Sequence, residues 1–220
     1  MSLNHSPSIV TNGLVLHLDA ASPKSYPRTG TTWFDRSGNN NNGTLVNGVV
    51  YNANNYGAFS FNGSNQYVQT SFTTQLNNFT ICSWFKSSAT GYARIADKKY
   101  DTGFWFGSNN SPTLWGGGVK QASNYNNITL SNNQWHFLAM VRVGTSLTVY
   151  GDGVTNTNTT TCGAGSIDST ALSLGGTVND GGGQRDWLNG NISQVSIYNR
   201  ALSASEILQN FNAIKGRFNL

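Results

Sequence analysis

A tract near the end of the chain, residues 187–206, constrains the fold more than any other part of the sequence. In its first half the apolar residues fall at every second position after a slip of one residue, which is the period of a β-strand: Ile192, Val195 and Ile197. The second half starts a helix, because Ser203 and Glu206 have the spacing of a reciprocal capping box. The sequence therefore predicts a closing strand followed by a short helix over about residues 203–215.

The predicted helix is amphipathic. Its apolar residues recur at helical spacing and would lay one stripe on a sheet: Ile207, Leu208, Phe211 and Ile214. Gly216 stands where a helix would be capped.

Short apolar or β-branched segments recur through the rest of the chain. We predict strands at residues 14–18, 58–61, 67–70, 79–86, 92–95, 102–106, 135–142 and 147–150. Turns rich in Gly and Asn separate them, and we interpret the glycines at 116–118 as a flexible loop. This pattern predicts an all-β fold, an antiparallel two-sheet jelly-roll sandwich with a short C-terminal helix.

Several passages match a known family in order along the chain. They are Gly-Leu-Val-Leu-His-Leu-Asp-Ala at 13–20, Phe-Ser-Phe-Asn-Gly-Ser-Asn-Gln-Tyr-Val at 59–68, Phe-Thr-Ile-Cys-Ser-Trp-Phe-Lys at 79–86, Gln-Trp-His-Phe-Leu-Ala-Met-Val at 134–141 with Tyr-Gly-Asp-Gly at 150–153, and the closing tract. Together they resemble the laminin-G-like, concanavalin A-like jelly-roll family. The resemblance implies a single domain over residues 13–220, which includes the closing helix, after an N-terminal leader of residues 1–12.

The same fold houses glucanases, which place paired carboxyl groups on either side of the scissile bond. This chain has one glutamate, Glu206, and the helix cap already accounts for it. We find no other hydrolase, metalloprotease or phosphate-binding motif. His136 follows Trp135 in a motif that non-catalytic relatives share, so we interpret it as a packed strand residue. The sequence predicts a protein that is not an enzyme.

Sugar recognition needs aromatic faces and amide or hydroxyl groups. If Phe104 and Phe106 point to the core, strand alternation places Trp105 on the opposite face. The candidate ligand-binding residues are Tyr92, Trp105, Asn109, Asn110, Trp115 and Tyr125. The alternative, that these aromatic residues only cover the second sheet, stays open.

Several members of the family bind calcium through acidic rim loops, but this chain has amides where those members carry aspartate. Hard cations favour carboxylate ligands, which weakens the calcium hypothesis. The candidate ligands are Asp19, Asn62, Asp152 and Asp186, and no cofactor is required for the predicted role.

Charge and cysteine content narrow the partners. Only 10% of the residues are charged, and the 13 basic residues are scattered singly except at Lys98 and Lys99, a pattern that does not favour nucleic-acid binding. The sequence predicts no membrane insertion and no Sec-type signal. Cys82 and Cys162 could form one disulfide or remain free thiols.

The end of the chain, residues 212–218, resembles the ends of laminin-G-like proteins encoded by tailed bacteriophages. This resemblance implies a non-catalytic virion surface protein, a capsid decoration or tail-fibre component, whose partners are other virion proteins or host-surface glycans. Self-association into a homo-oligomer is compatible with this role. The alternatives are a carbohydrate-binding module of a bacterial secreted or surface protein, which would be extracellular, and, less favoured, a glucanase-like glycoside hydrolase.

Overall fold

The computed structural model of the protein describes residues 7–120, 125–155, 159–180 and 183–220. Its strands are β1 Leu14–Asp19, β2 Thr32–Trp33, β3 Gly43–Val46, β4 Val50–Asn52, β5 Ala58–Asn62, β6 Tyr67–Thr70, β7 Phe79–Ser87, β8 Ala93–Lys98, β9 Phe104–Ser108, β10 Leu114–Val119, β11 Asn126–Thr129, β12 Trp135–Val143, β13 Ser146–Gly151, β14 Val154–Thr155, β15 Thr160–Thr161, β16 Ser173–Leu174 and β17 Asn189–Tyr198. One helix, α1 Ala204–Ile214, and a 3-10 turn, Lys215–Phe218, follow.

Two antiparallel sheets contain these strands. Over the described residues, one has the order β14-β13-β12-β7-β17-β5-β4, with β1 added to β17 and β15 to β13. The other has the order β11-β10-β9-β8-β16-β6-β3-β2. This architecture confirms the predicted two-sheet sandwich with a short C-terminal helix.

Strand β17 explains why the closing tract constrains the fold. It pairs with β7 along most of its length, while its first half pairs with β5 and its second half with β1. A register shift between Ile192 and Gln194 is the slip expected from the sequence, and it keeps Ile192, Val195 and Ile197 fully buried.

The apolar side chains form two clusters. The larger lies between the sheets and includes Trp33, Phe59, Phe104 and Phe106. The smaller covers the outer face of the β7–β12–β17 sheet beneath α1 and contains Trp84, Phe137 and Ile207, among others. The helix therefore closes this outer face and leaves the outer face of the second sheet for other contacts.

The N-terminus of α1 has the predicted capping box. The Glu206 N–H donates to Ser203 Oγ, and the Ser203 N–H donates to a Glu206 carboxylate oxygen. The predicted apolar stripe is wrong at Leu208, which is exposed, whereas Asn210 is buried. Asn210 points inward because its amide accepts from the Val10 N–H and donates to the Tyr198 hydroxyl. Within the predicted leader, Val10 thus packs against the helix, and the Ser8 carbonyl accepts a hydrogen bond from the Gln209 side chain.

Two further expectations are settled by packing. The glycines at 116–118 lie in strand β10 and not in a loop. Cys82 and Cys162 are free, buried thiols, and burial raises the pKa of Cys82 far above its usual value.

Among the described residues, no helix has the length and apolar character that a membrane crossing requires.

Candidate functional site

A pocket of about 450 Å³ opens on the outer face of the second sheet, at strands β8 and β9. Its floor is Trp105, which the alternation of β9 turns away from the core that Phe104 and Phe106 enter. Gly118 on β10 pairs with Trp105, and a Cβ at that position would lie 2.5 Å from the indole Nε1. The glycine therefore allows the indole to lie against the sheet.

Arg94 covers this floor. Its guanidinium lies 4.6 Å from the centre of the Trp105 ring and 5.6 Å from that of Tyr92. The side chain reaches across because Arg94 pairs with Gly107, which has no side chain in the way. Burial lowers the pKa of Arg94, and the carboxylate of Asp186 opposes this shift, so the guanidinium stays charged.

Asp186 holds Arg94 from the loop before β17. Its Oδ2 lies 2.9 Å from Arg94 Nη2, and its carbonyl oxygen accepts the Arg94 N–H at 2.9 Å. Arg94 Nη1 donates to the Ser108 carbonyl at 2.7 Å. These bonds fix the guanidinium over the indole and join the loop to the sheet.

Tyrosines border the pocket at its mouth. Tyr92 is 50% exposed and Tyr125 is 45% exposed, and the Tyr125 ring centre lies 6.1 Å from that of Trp105. Tyr100 and the amide of Asn109 complete the lining with Arg185. Half-exposed rings beside amide and charged groups offer both the apolar faces and the hydrogen bonds that a sugar ring uses.

Further charged groups lie behind the mouth. Arg185 forms an ion pair with Asp180, and this hydrogen bond raises the pKa of the Arg185 guanidinium. Asp97 is buried beside β9 and accepts a hydrogen bond from the Thr177 hydroxyl at 3.1 Å. Burial raises the pKa of Asp97 to about 7.

The pocket unites much of the predicted site. Tyr92, Trp105, Asn109 and Tyr125 line it, whereas Asn110 lies exposed beside it in a left-handed conformation. The placement of Trp115 on this face is corrected by the structure. Its ring lies in the core, 4.5 Å from Phe85, and its indole N–H donates to the Pro112 carbonyl.

Four lining residues were absent from the predicted sugar site: Arg94, Tyr100 and Arg185, and also Asp186, which was predicted only as a metal ligand. The sequence carried a signal for Arg94, because alternation along residues 92–95 places it on the same face as Tyr92. Tyr100 and Arg185 lie in loops, where no period indicates the direction of a side chain.

The four predicted metal ligands are not brought together. Asp19 forms a two-bond ion pair with Arg217, Asp152 contacts His136, and Asp186 pairs with Arg94. The Asn62 amide oxygen accepts the N–H groups of residues 64 and 65 within its own turn. Over the part of the chain that the structure describes, no group of three or more His, Cys, Asp or Glu side chains is arranged to hold a metal ion.

A second constellation lies in a pocket of about 350 Å³ near the C-terminus. His136 Nδ1 is 2.7 Å from Asp152 Oδ2, and Nε2 is 2.9 Å from Ser131 Oγ. These are the residue types of a hydrolase triad. However, Nε2 also lies 3.0 Å from the Ser131 carbonyl oxygen, and Asp152 accepts the Phe137 N–H. The contacts fasten the turn before β12 to the β13–β14 hairpin.

Comparison with solved structures agrees with this fold. The chain resembles the binding domain of botulinum neurotoxin DC in complex with SialylT, with 18% identity and a TM-score of 0.68 over 93% of this chain and 52% of that one. It therefore spans about half the length of that binding domain. The same neurotoxin domain in complex with rat synaptotagmin II matches with 17% identity and a TM-score of 0.67, covering 93% of this chain and 52% of that chain.

Domain 4 of AbnA, a GH43 extracellular arabinanase from Geobacillus stearothermophilus, in complex with arabinotriose, is similar over almost its whole length. The identity is 17% and the TM-score 0.65, over 90% of this chain and 97% of that one. No curated protein matches the chain by sequence. The model of the concanavalin A-like lectin/glucanases superfamily matches residues 61–208. This match covers more than half of the chain and shows that the chain belongs to that superfamily.

Proposed function

We propose that the protein is a non-catalytic glycan-binding module and that the pocket over Trp105 is its binding site. One observation carries the proposal. Four residues selected from the sequence for sugar binding, Tyr92, Trp105, Asn109 and Tyr125, line a single pocket on the face that α1 leaves uncovered. The volume of about 450 Å³ lies within the usual range for small-molecule sites.

The geometry suggests how a sugar is held. Arg94 covers the Trp105 ring, so the half-exposed rings of Tyr92 and Tyr125 are the faces that a pyranose or furanose ring can contact. Asn109 and Arg185 can donate hydrogen bonds to ring hydroxyls, and Asp186 can accept them. The arabinotriose complex of the similar arabinanase domain supports a sugar ligand for this fold.

A non-catalytic role is supported by the hydrogen bonds that the acid–base candidates already form. Glu206 is held by the helix cap and by Arg200, which lowers its pKa to about 2. His136 fastens a turn through both ring nitrogens. Neither group lines the pocket over Trp105, and Asp186, which does, is paired with Arg94.

A glycan array on the purified protein, followed by calorimetry on the best ligand, tests the proposal. Tyr92→Ala and Tyr125→Ala should each weaken binding by about 1–2 kcal/mol, or roughly 5- to 30-fold in Kd. Phe34→Ala is the matched control, because Phe34 is 41% exposed and does not line the pocket. If the control loses affinity as much as the two tyrosine variants, or if no glycan binds, the proposal is wrong. The same calorimetry with a chelator tests whether binding needs calcium, and the chelator should leave the affinity unchanged.

We keep a virion location as a second proposal. It is favoured by the resemblance of residues 212–218 to the ends of phage-encoded laminin-G-like proteins and by a surface poor in charge. Capsid decoration or a tail fibre would place the pocket where host-surface glycans meet it. Mass spectrometry of purified phage particles tests the location. If the protein is absent from the particles, the extracellular carbohydrate-binding module is the remaining alternative.

A further inference from the structure

Two arginines in the lining of a pocket would ordinarily favour an anionic ligand. A guanidinium with free donors binds a carboxylate through two parallel hydrogen bonds. Arg94 and Arg185 both line the pocket, and the chain has a formal net charge of +4. Whether these arginines can serve an acidic sugar depends on the partners that they already have.

Arg94 is already engaged on both terminal nitrogens. Nη2 pairs with Asp186 and Nη1 donates to the Ser108 carbonyl, while the side chain is 5% exposed. One face of the guanidinium lies on the Trp105 ring. A ligand carboxylate would have to displace the carboxylate of Asp186.

Arg185 is matched in the same way. Its Nη2 pairs with Asp180, its Nε lies 3.9 Å from Asp186 Oδ2, and its Nη1 donates to the Gly183 carbonyl at 3.3 Å. Two carboxylates therefore balance its charge, while the side chain, which is 39% exposed, keeps N–H groups that an uncharged hydroxyl can reach.

Asp97 adds a third carboxyl group behind Arg94 and Arg185. It is 1% exposed and bonded to Thr177, whose backbone pairs with that of Arg185. The two guanidinium groups are thus paired with Asp180 and Asp186, and the charge of Asp97 also acts on both of them. The excess of basic residues lies elsewhere on the chain, and the site itself carries no surplus positive charge.

We infer that the ligand of this pocket is an uncharged sugar, and that a glycan bearing a carboxylate binds more weakly than its neutral counterpart. The inference rests on the proposed function and names the class of its ligand. A sugar carboxylate near Asp186 meets a like charge, and at about 4 Å in water this costs about 1 kcal/mol, or roughly fivefold in Kd. Neutral hydroxyls can accept from Arg185 and donate to Asp186 with no such cost.

The test uses matched pairs on one glycan array: N-acetyllactosamine against its sialyl form, and methyl-esterified oligogalacturonate against the free acid, beside a broad neutral panel. The neutral member should bind at least about threefold tighter. Asp186→Asn keeps the shape and frees the charge of Arg94, so it should shift the acid-to-neutral ratio of affinities by about fivefold toward the acid. Glu206→Gln is the control, because it removes the same charge on the opposite side of the sandwich and should leave the ratio unchanged.

The outcomes separate this inference from the proposed function. Tighter binding of the acidic member by the unchanged protein overturns the inference alone. A ratio that Asp186→Asn does not shift, or that Glu206→Gln shifts equally, also overturns it, because the discrimination would not come from the pocket. Binding of no glycan, neutral or acidic, overturns the proposed function and this inference with it.

Discussion

The Glu206→Gln variant tests the interactions that close the fold. The Glu206 carboxylate accepts two hydrogen bonds from Arg200, at 2.6 and 3.0 Å, and the Ser203 N–H at 2.9 Å. Arg200 in turn donates to the Asn12 carbonyl, so the pair joins the N-terminal segment to the helix start. Glutamine keeps one acceptor for Ser203 and loses the charge.

The magnitude follows from the pKa of Glu206, which the hydrogen bonds from Arg200 and Ser203 lower to about 2. A shift of this size corresponds to about 3 kcal/mol. Both side chains are 29% exposed, and solvent screening reduces this to about 1–2 kcal/mol. Because the folded-state pKa is the lower one, the stabilisation is complete above the unfolded-state pKa and disappears as the pH falls through about 2.

Urea unfolding of both proteins from pH 8 to pH 3 measures this contribution. The variant should be less stable by about 1–2 kcal/mol at pH 7, and the difference should shrink below about pH 4.5. Asp101→Asn removes an exposed carboxylate and should change stability by less than about 0.5 kcal/mol. A difference that stays constant with pH, or that is absent at pH 7, would refute the role given to the ion pair.

The remaining predictions concern packing and chemistry. Gly118→Ala should displace Trp105, since the new Cβ would lie 2.5 Å from its Nε1; calorimetry should find glycan binding lost and a stability cost of about 1–3 kcal/mol, whereas Gly216→Ala, with no neighbour within 4 Å, should bind normally. Cys82 and Cys162 should not react with a thiol reagent until the chain is unfolded, and rapid labelling of the native protein would contradict their burial. Ser131 should resist a fluorophosphonate probe as fully as a Ser131→Ala variant does; covalent labelling detected by mass spectrometry would show a working nucleophile and contradict the non-catalytic proposal.

The period of apolar residues was enough to find the strands that form the centre of the fold. Strand β6 matches its prediction residue for residue, and β7 and β12 extend one residue beyond theirs. These strands are predictable because aromatic and β-branched residues dominate there. Strand β10 was missed because glycine normally indicates a turn. Its glycines are required by neighbours on other strands, Met140 at Gly117 and Trp105 at Gly118, and such contacts leave no local pattern.

The candidate site, like the fold, was predictable only where a strand had a clear alternation of side chains. Alternation about Phe104 and Phe106 placed Trp105 correctly, but no such argument was available for Trp115, whose strand had not been recognised. The ion pair of Arg94 with Asp186 joins residues far apart in sequence, and Asp186 reaches it from a loop in a left-handed conformation. The charge balance of the pocket could therefore be read only from the structure.

A titration of ¹⁵N-labelled protein with the best ligand of the glycan array tests the central claim most directly. The account predicts shifts confined to the pocket, with the indole N–H of Trp105 and the backbone signals of Arg94, Asn109 and Asp186 moving together. The indole signals of Trp84 and Trp135, which lie on the other sheet beneath α1 and the 3-10 turn, should stay in place. Shifts concentrated around His136, or in the turn that contains Asn62, with the Trp105 indole unmoved, would contradict the account.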